Sequence, residues 1–62
     1  MTGKELLKLL QKNGWRIARI KGSHHIMIHD QRPGVIVPVP VHGREIGTGT
    51  AHAIMKQAGI QK

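Results

Sequence analysis

Trp15-Arg16-Ile17-Ala18-Arg19-Ile20-Lys21-Gly22-Ser23-His24-His25-Ile26-Met27-Ile28-His29 decides the fold of this chain. Residues 15–20 alternate imperfectly between apolar and polar, which predicts a first strand. Gly22-Ser23 is a turn pair, and residues 24–29 read as a second strand. Successive side chains of a strand point to opposite faces. His24, Ile26 and Ile28 therefore share one face, and His25, Met27 and His29 share the other.

The segments on either side complete the pattern. Upstream, Thr2-Gly3-Lys4-Glu5 fits a capping box, with Thr2 as N-cap and Glu5 at the third helical position. The spacing predicts a helix to about Asn13 that stops at Gly14. Its Leu6, Leu7, Leu9 and Leu10 lie on one side, and Lys4, Lys8 and Lys12 recur every four residues on the other. Downstream, Asp30-Gln31-Arg32-Pro33-Gly34 is a turn cluster. The β-branched run Val35–Val41 predicts a third strand, and its Pro38 and Pro40 place it at a sheet edge or a bulge, because proline cannot donate a ladder hydrogen bond. After the polar connection His42–Gly47, Thr48 or Thr50 is placed to cap a second helix with an Ala51, Ile54, Met55, Ala58 stripe, ended by Gly59. The order is αβββα. Two one-sided helices covering one face of a three-stranded antiparallel sheet give a two-layer α/β (α+β) fold, one domain over residues 1–62.

Composition narrows the function. Ten Lys and Arg against Glu5, Asp30 and Glu45 give a net charge of +7. Such a balance favours a polyanionic partner, most often nucleic acid. The chain has one aromatic residue of the Phe, Trp and Tyr types, Trp15. Recognition by stacking bases on several aromatic rings is thereby excluded, leaving phosphates and backbone shape. Without cysteine there is no disulfide framework and no thiolate metal site. His25 and His29 share a strand face but are about 13 Å apart at about 3.3 Å per residue, too far for one metal ion. No apolar run reaches membrane-spanning length and the N-terminus lacks a signal-peptide pattern, so the expected location is cytoplasmic.

A histidine presented by a tight turn on a cationic surface suits metal-free RNA cleavage. Its imidazole is available as base or acid at neutral pH, and neighbouring cations can stabilise charge on the phosphorus. His24 is the catalytic candidate. Lys21, just before the turn, is a candidate phosphate ligand, with the backbone amides of Gly22 and Ser23 as further donors. Lys4, Lys8 and Arg44 complete the candidate RNA-binding set, although a lysine stripe also serves simply as a solvated face. If the Asp30–Gly34 turn closes a hairpin, His42 approaches His24 and is a candidate complementary acid, the alternative being a loop histidine with no role. His29 and His52 read as surface residues.

Several of these features together resemble the HicA (YcfA-like) toxin family. They are the Gly14-Trp15 end of the first helix, Gly22-Ser23-His24, the Val-Pro run leading to His42-Gly43, Gly47-Thr48-Gly49-Thr50, and Lys56-Gln57-Ala58-Gly59. The resemblance spans about Lys4 to Ile60. It implies a double-stranded-RNA-binding-domain-like fold, ribosome-independent cleavage of mRNA without a cofactor, and neutralisation by a HicB-like antitoxin. It also implies that His24, in the Gly-Ser-His motif, is catalytic. Some relatives place that histidine one residue later, at the position of His25. Ala51-His52 departs from the family, in which leucine followed by a basic residue is common. The contrasting expectation from the residues alone is a non-catalytic RNA-binding module, which needs basic residues on one face but no ionisable histidine in a turn.

Overall fold

The computed structural model describes residues 1–41, 43 and 45–60. Its elements are α1 (Gly3–Lys12), β1 (Trp15–Lys21), β2 (His24–His29), β3 (Val37–Pro40) and α2 (Thr48–Gln57). The order is αβββα, as the sequence predicts. The strands form one antiparallel sheet in the order β1-β2-β3, so β2 is central and β3, with both prolines, is an edge.

Helix α1 begins at the predicted capping box. The Thr2 hydroxyl accepts from the Glu5 amide at 3.2 Å, and the Glu5 carboxylate accepts from the Thr2 amide at 2.8 Å. Two otherwise orphaned donors are thus satisfied. The hydrogen bonds from Thr2, backbone first, hold the Glu5 carboxyl below its ordinary pKa. The box is therefore at full strength above the unfolded-state pKa of Glu5 and weakens as pH falls through the lower native value.

Leu6 and Leu10 of α1 are fully buried against Met27, Val37 and Val39 of the sheet, with Trp15, Ala51, Ile54 and Ala58 closing the core. Both helices pack on the face of the sheet that carries Met27. The opposite face is covered by no element among the described residues.

Three expectations need correction. Helix α2 has Gly47 as its N-cap, with no side-chain cap hydrogen bond. Thr48 and Thr50 lie inside the helix, so neither hydroxyl occupies the capping position. Strand β3 starts at Val37 because Val35 still belongs to the turn, its amide bonded to the Arg32 carbonyl at 3.2 Å. His29 is a packed residue. Its place on the Met27 side of β2 sets its ring edge-on to Trp15, with centroids 5.2 Å apart. Its Nδ1 accepts from the Gln31 amide at 3.0 Å, which leaves the proton on Nε2, 3.0 Å from the Asn13 carbonyl oxygen. His52 is exposed, as expected.

Candidate active site at the Gly-Ser-His turn

The turn between β1 and β2 is two residues long, with Lys21 paired to His24 across it. Gly22 has φ of 60°, and Ser23 keeps a negative φ. A left-handed first position is what a type II′ hairpin turn requires, and it is why glycine stands there. A Cβ on Gly22 would meet nothing within 4 Å, so backbone conformation and not crowding makes the demand.

Backbone contacts bring the end of β3 and the start of α1 to this turn. His24 pairs with Pro40, and the half-buried Ser23 accepts the Val41 amide on its carbonyl at 2.7 Å. Gly3 of α1 then sits against Pro40 and Val41. A Cβ there would lie 2.8 Å from Val41 Cα and closer still to the Pro40 carbonyl oxygen. Thr2 forms a bridge with Glu45, and the N-terminal ammonium contacts the Glu45 carboxylate at 3.0 Å. The first turn of α1, with Lys4, is therefore anchored beside β3 at the His24 end of the sheet.

The two adjacent histidines separate as the strand period requires. His24 is exposed on the open face of the sheet, on the same side as Ile26 and Ile28. His25 lies on the helix side, opposite Val39 and Ile20, with its Nδ1 buried and without a hydrogen-bond partner. Lys21 is exposed and shares the face of its partner His24. Lys8 goes elsewhere. With Met1, Glu5, Leu9, Lys12 and Met55 it lines a groove of about 310 Å³ between the helices that includes no histidine. His42 and Arg44 lie outside the described residues, so the proposed approach of His42 to His24 does too. Among the described residues no three His, Asp or Glu side chains gather into a metal-binding group.

Each of the three carboxylates has a partner. Glu5 closes the α1 capping box, Asp30 accepts both Nε and Nη2 of Arg16 at 3.2 and 2.9 Å, and Glu45 holds the N-terminus. The acids thus stabilise helix start, hairpin end and chain terminus, and much of the basic surface stays uncompensated.

Two residues differ from what their sequence context shows. One is His29, expected at the surface, which packs against Trp15 and Asn13. The other is Arg19, turned to the His24 face by an irregularity at Ala18. The signal for the second was present: in Trp15–Lys21 the apolar positions shift phase where Ile17 is followed by Ala18.

A profile of the family described as "HicA toxin of bacterial toxin-antitoxin" matches residues 3–60 of the 62. The match covers most of the chain, and the chain belongs to the HicA toxin family. It is accordingly a toxin of a toxin–antitoxin system, with an antitoxin as partner and RNA as target, in a family of ribonuclease toxins. A comparison with curated proteins gives no match. No helix among the described residues is long and apolar enough to cross a membrane.

Proposed function

We propose that this protein cleaves mRNA without a ribosome and without a metal ion, with His24 as the general base and acid. The observation that carries this reading is the division of the two histidines. His24 is exposed beside Lys21, whereas His25 faces the helices with one ring nitrogen buried. A group that takes a proton from a substrate must reach it.

In the proposed reaction neutral His24 removes the proton of an RNA 2′-hydroxyl. The 2′-oxygen attacks the adjacent phosphorus and the bond to the 5′-oxygen breaks. The imidazolium returns its proton to the departing oxygen. The products are a 2′,3′-cyclic phosphate and a 5′-hydroxyl. Lys21 stabilises the charge that builds on the phosphoryl oxygens, and the amides at Gly22-Ser23 are further candidate donors. Lys4, Lys8 and Arg44 are candidate contacts to more distant phosphates. The antitoxin is expected to be HicB-like and to silence the protein by covering the cationic surface around His24.

Cleavage of a long mRNA in EDTA by the wild type, His24→Ala and His25→Ala tests the assignment. Loss of a general acid–base should cost about 10²- to 10⁴-fold in rate for His24→Ala. His25→Ala should keep the activity as long as its melting curve shows a folded protein. The reverse pattern moves the site by one residue, and salt-sensitive binding without cleavage by the wild type makes the protein a non-catalytic RNA-binding module.

A further inference from the structure

Strand β1 changes the face it presents partway along. Trp15 points into the core and Ile17 pairs with the buried Met27, so odd-numbered residues begin on the helix side. The register then shifts between Ile17 and Arg19, leaving Ala18 as an extra residue. Beyond it Arg19 pairs with Ile26, Ile20 with His25 and Lys21 with His24. Direct cross-strand partners share a face. Arg19 and Lys21 therefore stand on the open face with His24, and Ile20 takes the helix side. In an unbroken strand both cations would point with Trp15 toward the helices. Bulges commonly re-aim side chains next to active sites, and this one moves two positive charges.

The open face that results has its own composition. One row across the sheet is Lys21, His24 and Pro40; the next is Arg19, Ile26 and Pro38. Arg16 lies on the same face opposite Ile28, paired to Asp30. Arg19 and Lys21 are exposed, and among the described residues neither has an ion-pair partner. Two uncompensated cations at alternate positions of one strand, about 7 Å apart at about 3.3 Å per residue, form a short linear track that ends beside His24. A chain of phosphates complements it in charge and shape.

We propose that the open face of the sheet is the RNA-binding surface, with Arg19 and Lys21 as adjacent phosphate ligands leading to His24, and that the Ala18 bulge is the device that places them there. This rests on the RNA-cleavage reading for the role of His24 but makes its own claim about where the strand lies. A silencing antitoxin covers this same face and so competes with RNA for it. The face itself is built for phosphate: apart from the half-buried Ile26, Ile28 and Pro40 and the exposed Pro38 it is polar, and the unpaired charges of Arg19 and Lys21 suit a phosphate chain.

The test uses the His24→Ala protein, so that RNA survives, and a single-stranded 2′-O-methyl oligonucleotide. Its affinity is measured by fluorescence anisotropy across a series of KCl concentrations. For single strands the slope of log K against log salt is about −0.7 per phosphate neutralised. Adding Arg19→Gln or Lys21→Gln should each make the slope shallower by about 0.7 and weaken binding several-fold at fixed salt. Lys56→Gln, at the far end of α2, should change the slope little. Slopes indifferent to Arg19 and Lys21 would overturn the proposal, as would unchanged RNA binding with loss of antitoxin binding. Failure of the cleavage reading appears separately: wild-type protein that cleaves no RNA while Arg19→Gln and Lys21→Gln still flatten the slope would leave this surface standing and remove only the enzyme.

Discussion

At the scale of single residues, the histidines of β2 show how one side-chain type serves different ends. His29 is a structural residue, edge-on to Trp15 and bonded through both ring nitrogens to the chain around it. An aromatic contact contributes about 0.5–1.5 kcal/mol beyond buried area, and each net hydrogen bond about as much again. His29→Ala should therefore lower unfolding stability by about 2 kcal/mol in urea titration, without altering the Gly22-Ser23 turn, about 20 Å of strand away at about 3.3 Å per residue. A loss below about 0.5 kcal/mol would show that these contacts contribute little. The faces of His24 and His25 were legible because strand parity needs no tertiary information. The packing of His29 was not, because parity gives the side of the sheet and not what stands there. Only the return of the chain from Asn13 supplies the carbonyl that fixes its ring.

Elements were legible where local chemistry sets their limits. The Thr2–Glu5 capping box begins α1 as read, since both partners lie within four residues. The start of α2 was misread because a threonine is a cap only if the backbone leaves it there, and here Gly47 takes the position. The close docking of α1 on the end of β3 is a long-range feature that the sequence did not reveal, and it leaves a side chain at Gly3 too close to the Pro40 and Val41 backbone. Gly3→Ala should destabilise the protein by about 1–3 kcal/mol, the usual cost of forcing extra volume into a packed site. Gly49→Ala provides the contrast, because a Cβ there meets nothing within 4 Å. It should be neutral or stabilise α2 by up to about 1 kcal/mol. Equal effects of the two substitutions in thermal melts would contradict this account of how α1 is seated. The Ala18 bulge belongs to the same scale: its trace in the sequence is a phase shift, which becomes a bulge only once β2 supplies the register.

For the whole molecule, charge and layering together define function. The net +7 is carried with all three acids committed to structural contacts, so the positive surface is a property of the fold and not of composition alone. Two helices fill one side of the sheet and leave the other side to His24, Lys21 and Arg19. That the chain is basic, small and αβββα could be read directly. Which side of the sheet stays clear of the helices and gathers His24, Lys21 and Arg19 could not, because it depends on the register of three strands. The most direct measurement is the chemistry of the RNA ends left by wild-type protein in EDTA. Attack by a 2′-hydroxyl under histidine acid–base catalysis predicts 2′,3′-cyclic phosphate and 5′-hydroxyl ends. Ends bearing 5′-phosphate, or cleavage that stops when EDTA is added, would contradict the central claim.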